Sequence, residues 1–188
     1  MLKSSRPASK ISPEYALLGF LYVQPLHGYE LQRRLQAELH EIWRLSQSQV
    51  YNILKRLERQ ELIKATVQPQ EKLPDRELLE LTKAGKASFL NWLTKPTRSS
   101  ARAIRVEFLT RMYFAGQVEP SLPGKLFKEQ ETFTRKDLDR LKKHEAELPA
   151  DQRYNRLGLV LRIRQLNSIL EWLSDNRSIL IEANGENL

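Results

Sequence analysis

The chain of 188 residues predicts a mainly α-helical protein that carries one small β-hairpin. Three observations lead there. Apolar residues recur at helical spacing through most of the chain; two short runs, 62–67 and 76–81, read as strands on either side of a polar, Pro-containing turn; and a Pro-bearing segment near residue 96 separates a compact first half from a second half of longer helices.

Each element has a local cause. Ser12-Pro13-Glu14 starts the first helix with a capping hydroxyl, a ring that pre-sets φ and a carboxylate at the positive end of the dipole. The run from Tyr15 to Val23 is apolar on nearly every side, so it must be buried on more than one face. Gln24-Pro25-Leu26-His27-Gly28 breaks that helix, and a second begins near Tyr29 with Leu31, Leu35 and Leu39 on one stripe. Ser46-Gln47-Ser48-Gln49 is a capping box that opens a third helix at about Gln47. Its Val50, Ile53, Leu54 and Leu57 share one face, while Ser48, Asn52, Lys55, Arg56 and Arg59 lie opposite and Tyr51 sits on the flank.

The two strands follow, joined by residues 68–75, and Thr82 caps a fourth helix from Lys83 to about Leu93. Lys95 to Ser100 reads as a linker, which sets the expected units at 1–96 and 97–188. Beyond it, Ala101 to Ala115, Ser121 to Leu148 and Tyr154 to about Ile181 read as helices. The middle one is so highly charged that it must lean on a neighbour through a narrow apolar seam.

Thirty-one Lys and Arg against 23 Asp and Glu give a formal charge of +8, which favours polyanionic partners. There is no cysteine, and His27, His40 and His144 have no metal-ligand spacing, so neither disulfide nor metal chemistry is expected. Residues 1–10 lack the apolar core of a signal peptide, and no run approaches the roughly 18 apolar residues of a membrane span. A cytoplasmic protein with a polar amino-terminal arm is the expectation. No nucleophile with an adjacent base, phosphate-binding glycine loop or paired acid emerges, so neither catalysis nor a cofactor is expected.

Three helices, a hairpin and a fourth helix within about 95 residues is the order of a winged helix-turn-helix domain, here followed by an α-helical dimerisation region. A helix fits the major groove only if its exposed side offers hydrogen-bonding groups to bases and cations to phosphates. The third helix meets that requirement with Gln47, Ser48, Tyr51 and Asn52 as base-facing candidates and Lys55, Arg56 and Arg59 as phosphate-facing ones. Tyr29, Lys64, Lys72 and Arg76 complete the expected double-stranded DNA surface. A basic helix face is more often merely solvated; the basic hairpin directly after it shifts the balance to DNA. His27, beside a turn glycine, is read as a capping or packing residue, and Trp92 and Trp172 as core or interface.

Leu18-Gly19-Phe20-Leu21, Pro25-Leu26-His27-Gly28-Tyr29-Glu30-Leu31, the run Ser48 to Glu58 and Leu81-Thr82-Lys83-Ala84-Gly85-Lys86 together resemble the PadR family of bacterial transcriptional regulators. Arg105-Val106-Glu107-Phe108-Leu109 and Leu170-Glu171-Trp172-Leu173 resemble the helical carboxyl-terminal region of the subfamily similar to virulence-gene activators. The chain departs from the family pattern at Ser46-Gln47 and Asn52, so base preference does not carry over. The resemblance implies a homodimer joined through the carboxyl-terminal helices and the amino-terminal helix, and in some members a small-molecule effector. The expected activity is therefore a dimeric regulator, a repressor in sign, on a pseudo-palindromic operator; the alternative is a winged-helix adaptor that docks a protein through its long helices.

Overall fold

The computed structural model describes residues 11–69 and 76–182. Helix α1 (Glu14–Val23) leads through a two-residue strand β1 (Leu26–His27) into α2 (Gly28–Leu39) and α3 (Gln47–Arg59). Strands β2 (Ile63–Gln68) and β3 (Arg76–Leu81) form the antiparallel hairpin, and α4 (Lys83–Leu93) closes the first half. The tip of the hairpin, which carries Lys72, lies outside the described residues. The sheet order is β1-β3-β2, with Leu26 opposite Leu79 and His27 opposite Leu78. Strand β1 corrects the expectation of a plain break between the first two helices. Two residues carry no periodicity, and only pairing with β3 makes them a strand.

Helix α1 is the centre of the fold. Ala16 through Leu21 are all buried, as an all-round apolar helix requires, and α2, α4, β3 and α6 pack around it. Thr82 caps α4 by accepting from the Gly85 amide at 3.0 Å and donates to the Glu61 carbonyl at 2.6 Å. A Cβ at Gly85 would sit on the Leu62 carbonyl oxygen, so only glycine lets α4 start this close to the end of α3.

In the second half α5 (Ala101–Ala103) runs through a π-helical turn (Ile104–Phe108) into α6 (Leu109–Val118). The helix thus extends beyond Gly116, where a stop was expected. Within it Thr110 donates its hydroxyl to the Val106 carbonyl at 2.6 Å. Helix α7 (Leu122–Ala146) buries Leu122, Leu126, Phe127, Leu138 and Leu141, the narrow seam expected of it, with α8 (Arg153–Asp175) packed along it. The last helix was expected to run unbroken to about Ile181; it ends at Asp175, and α9 (Arg177–Glu182) follows. Asn176 makes the break, its backbone N–H and its side-chain amide both donating to the Trp172 carbonyl. No helix among the described residues is long and apolar enough to cross a membrane.

One hydrophobic core runs through both halves. Phe114 of α6 meets Phe20 and Phe89 edge-on, at centroid distances of 5.2 and 5.7 Å. A Cβ at Gly19 would land in the Phe114 ring, so glycine is what admits the ring against α1. The segment read as a linker is tied down: Thr97 and Ser99 are buried, the Thr97 amide donates to Gln130 and Ser99 bonds Thr134.

Between the halves lies a buried ion pair. Arg111 donates to Glu107 at 2.5 Å, to Thr97 Oγ1 at 2.7 Å and to the Lys95 carbonyl, with its guanidinium 4.8 Å from the centroid of Trp92. Trp92 in turn stacks on Tyr15 of α1 at 4.7 Å. Burial lowers the Arg111 pKa to about 10, partly offset by Glu107, and a base titrating there remains charged at neutral pH. Its Nε has no hydrogen-bond partner among the described residues, so desolvation is only partly compensated.

Two substitutions report on this junction in chemical denaturation. Gly19→Ala lowers the unfolding free energy by about 1–3 kcal/mol through overpacking against a ring that has no room to retreat. Arg111→Met lowers it by about 3–5 kcal/mol, because Glu107 loses its guanidinium, and the double variant Glu107→Leu with Arg111→Met recovers much of that loss. Additive losses in the double variant would show that the two side chains act separately.

Candidate nucleic-acid interface

Helix α3, the candidate recognition helix, owes its position to both of its ends. At the start, Ser46 accepts from the Gln49 amide at 3.3 Å while Gln49 returns to the Ser46 amide at 2.9 Å, the reciprocal cap read from sequence. Val50, Ile53, Leu54 and Leu57 are buried, which fixes the rotation of the helix and turns the opposite side to solvent. At the other end the Leu62 amide bonds the Leu57 carbonyl and the Glu61 amide bonds the Glu58 carbonyl, a Schellman closure. Glu61 takes the left-handed position, φ 55°, that the closure demands and that normally falls to glycine. The closure aims the chain directly into β2.

Gln47, Ser48, Tyr51, Asn52, Lys55, Arg56 and Arg59 are all exposed along this side of α3. Lys55 has no ion pair among the described residues. Arg56 pairs with Glu14 of α1 at 2.5 Å, and both groups remain partly solvated. A pair of that exposure is worth about 0.2–1 kcal/mol, too little to withhold the arginine from a phosphate. Arg59 donates to the Lys55 carbonyl at 3.3 Å.

A cleft of about 610 Å³ separates α3 from the hairpin, lined among others by Tyr29, Tyr51, Lys55 and Arg76. Tyr51 lies over Gly28, where an added Cβ would be 3.2 Å from the ring; it thus walls the cleft as well as facing outward. Arg76 stands over the Tyr29 ring at 5.6 Å, and the His27 and Tyr29 rings stack at 5.9 Å. His27 Nδ1 is 2.9 Å from the Glu77 carbonyl, and the His27 amide donates to Glu30 at 2.9 Å. His27 is thus the structural tie between the start of α2 and the hairpin. Glu58 and Glu77 also line the cleft and balance Lys55 and Arg76, so its lining is near neutral in formal charge.

Lys64 stands apart. It pairs with Glu80, its cross-strand partner, at 2.8 Å, on the hairpin face opposite to Ile63, which lines the cleft. Sequence reasoning placed the cations but missed the acids that partner two of them, Glu14 and Glu80. Neither carries a local signal, because each meets its partner only in the folded chain.

Residues 17–91 match the family model of the PadR-like transcriptional regulators, and residues 104–180 match that of the virulence activator α C-terminal region. Residues 17–91 thus carry a PadR-like domain. The chain is 28% identical over 117 residues to the negative transcriptional regulator PadR of Bacillus subtilis, across 62% of this chain and 64% of that protein. It is 29% identical over 82 residues to a probable transcriptional regulator of Mycobacterium tuberculosis, across 44% of this chain and 43% of that one. The matches therefore span less than two thirds of either relative. The crystal structure of the Bacillus subtilis PadR in complex with operator DNA is similar over 89% of this chain and 96% of that one, with 23% identity and a TM-score of 0.45.

Replacing Glu61 tests the closure that joins α3 to the hairpin. Glu61→Gly raises the unfolding free energy by about 0.5–1 kcal/mol, read as a higher Tm, because it removes the strain of a β-carbon in the left-handed region. An unchanged or lower Tm would mean that the Glu61 side chain contributes more than its backbone costs.

Proposed function

We propose that this protein is a sequence-specific, DNA-binding transcriptional regulator that acts in the cytoplasm as a homodimer on a pseudo-palindromic operator. The observation that carries the reading is the exposed side of α3: uncharged hydrogen-bonding groups at Gln47, Ser48 and Asn52, then cations at Lys55, Arg56 and Arg59, all on a helix whose other face is locked in the core. Such a helix offers donors and acceptors to base edges at one end and positive charge to phosphates at the other. Arg76 and Tyr29 extend the phosphate-facing rim, and Lys72, also expected to contact DNA, lies outside the described residues.

The dimer reading draws on α8. Tyr154, Leu157 and Leu161 follow one another at helical spacing and are 79, 59 and 59% exposed, an apolar stripe that one chain alone leaves to water. Covering it with a second copy sets two α3 helices for successive major grooves about 34 Å apart. Residues 1–96 then serve as the DNA-binding unit and 97–188 as the dimerisation unit. The sign is repression, as in the Bacillus subtilis relative, whose name describes a negative regulator. The same stripe supports a second reading, an adaptor that docks another protein.

Gel-shift titrations on promoter fragments, beginning with the one upstream of its own coding region, test the proposal. Two protomers presenting three to five described cations each give a slope of log K against log salt between about −5 and −9. Asn52→Ala changes base preference at a cost of about 1–3 kcal/mol on the best site, whereas Lys55→Gln weakens all sequences alike. Binding with no sequence preference at any salt would refute the regulator, and a monomer in light scattering that still captures a protein partner would favour the adaptor.

A further inference from the structure

A cavity of about 830 Å³ lies in the second half, lined by residues 98–100 together with parts of α7 and α8. Arg98, Lys136, Arg140 and Arg162 line it, and Asp137 is the single carboxylate among its described lining residues. Arg140 pairs with Asp137 at 3.0 Å. Arg98, Lys136 and Arg162 are exposed, and none of them pairs with a carboxylate among the described residues. Three cations gathered around one cavity from three separate elements repel one another until an anion from outside the chain meets them.

Two further features distinguish this place from a solvated basic face. Arg98 stands between Thr97 and Ser99, both buried: the Thr97 amide donates to Gln130 at 3.2 Å, and the Ser99 and Thr134 hydroxyls bond at 3.3 Å. Its backbone is therefore fixed before a ligand arrives, which lowers the ordering cost of binding. Gly158 lines the cavity from the interior of α8, where glycine costs helix stability relative to alanine. Nothing in the chain requires glycine there: its backbone is not left-handed, and a Cβ would meet no atom within 4 Å. The space it keeps open is left unused by the chain itself.

Size and charge define the occupant. The volume falls in the range of small-molecule sites. Guanidinium groups take phosphoryl oxygens in pairs, and lysine adds a point charge. Three unpaired cations exceed what one carboxylate neutralises and suit two linked phosphoryl groups. Leu161 joins the cavity to the exposed apolar stripe of α8. A second copy placed there across a two-fold axis would bring the same cations toward their images, so charge favours a small anion in the cavity over the partner chain.

We propose that this cavity binds the diphosphate group of a small molecule, held by Arg98, Lys136 and Arg162. The site goes beyond the regulator reading and does not rest on it.

The probe is pyrophosphate, titrated calorimetrically into the full chain at about 0.15 M salt. Saturable binding of one pyrophosphate per chain is expected, at least about tenfold tighter than orthophosphate. The double variant Lys136→Gln with Arg162→Gln weakens pyrophosphate by at least about tenfold. Lys125→Gln with Lys128→Gln removes the same charge from exposed positions of α7 outside the cavity and leaves binding within about twofold. Gly158→Phe fills the cavity and abolishes binding, with circular dichroism confirming that it folds. ADP separates the sources: tighter binding than pyrophosphate assigns the diphosphate to an organic carrier, weaker binding to the free ion. Absence of saturable binding overturns the site, as does binding that survives Gly158→Phe or falls equally in both double variants. A loss of duplex DNA affinity in Lys136→Gln with Arg162→Gln as large as that in Lys55→Gln would give these cations to nucleic acid. Dissociation of a dimer by pyrophosphate, read by light scattering, would give the cavity to a second copy; either result overturns the proposal.

Discussion

The need to bury α1 from all sides organises this molecule. Six consecutive buried residues, Ala16 to Leu21, leave the helix no solvent face, so neighbours must close around it. At about 25 cal/mol per Å² of apolar surface removed from water, a helix left half uncovered would forfeit several kcal/mol, comparable to the whole stability of a domain. The first half supplies α2, α4 and β3 but leaves one side of α1 to the second half. Phe114 of α6 fills it, at the one place where Gly19 makes room. The two halves share a core because α1 does not finish its burial without both.

The buried Glu107–Arg111 pair stands beside that junction and plays a different part. Its net contribution to stability is small by physical expectation, because desolvation of both charges consumes most of their attraction. What it adds is direction. Arg111 reaches three acceptors, two of them in the segment after α4, and stacks on Trp92, so it fixes how the second half leaves the first. Trp43, which donates to Thr110 at 2.8 Å, makes a second polar tie to α6. Apolar contacts hold the halves together, and these polar ones hold them in one orientation.

At the candidate nucleic-acid face, the distance between α3 and the hairpin is set by backbone more than by side chains. The Schellman closure at Glu61, the Thr82 hydroxyl on the Glu61 carbonyl and the contact of Gly85 with Leu62 compress the end of α3, the start of β2 and the start of α4 into one joint. His27 pins the opposite side of the cleft by meeting the Glu77 carbonyl. The candidate DNA-facing side chains stand on this frame, with Arg56 and Lys64 in partly solvated, weak ion pairs.

Much of this was legible in the residues alone. The capping box at Ser46, the apolar stripe of α3, the hairpin, the cap at Thr82 and the buried character of α1 follow from interactions within about four residues or from simple alternation, and sequence carries those directly. The candidate DNA face was legible for the same reason, since a helix with a known core stripe has a known outer side. Strand β1, the π-helical turn, the break at Asn176 and the partners of Arg56 and Lys64 were not. Glu14 and Arg56 are 42 residues apart and His27 and Glu77 are 50 apart. A charge or a ring chooses its partner only after the helices have packed, so periodicity and caps belong to the sequence, while pairings across the fold belong to the three-dimensional arrangement that brings them within reach.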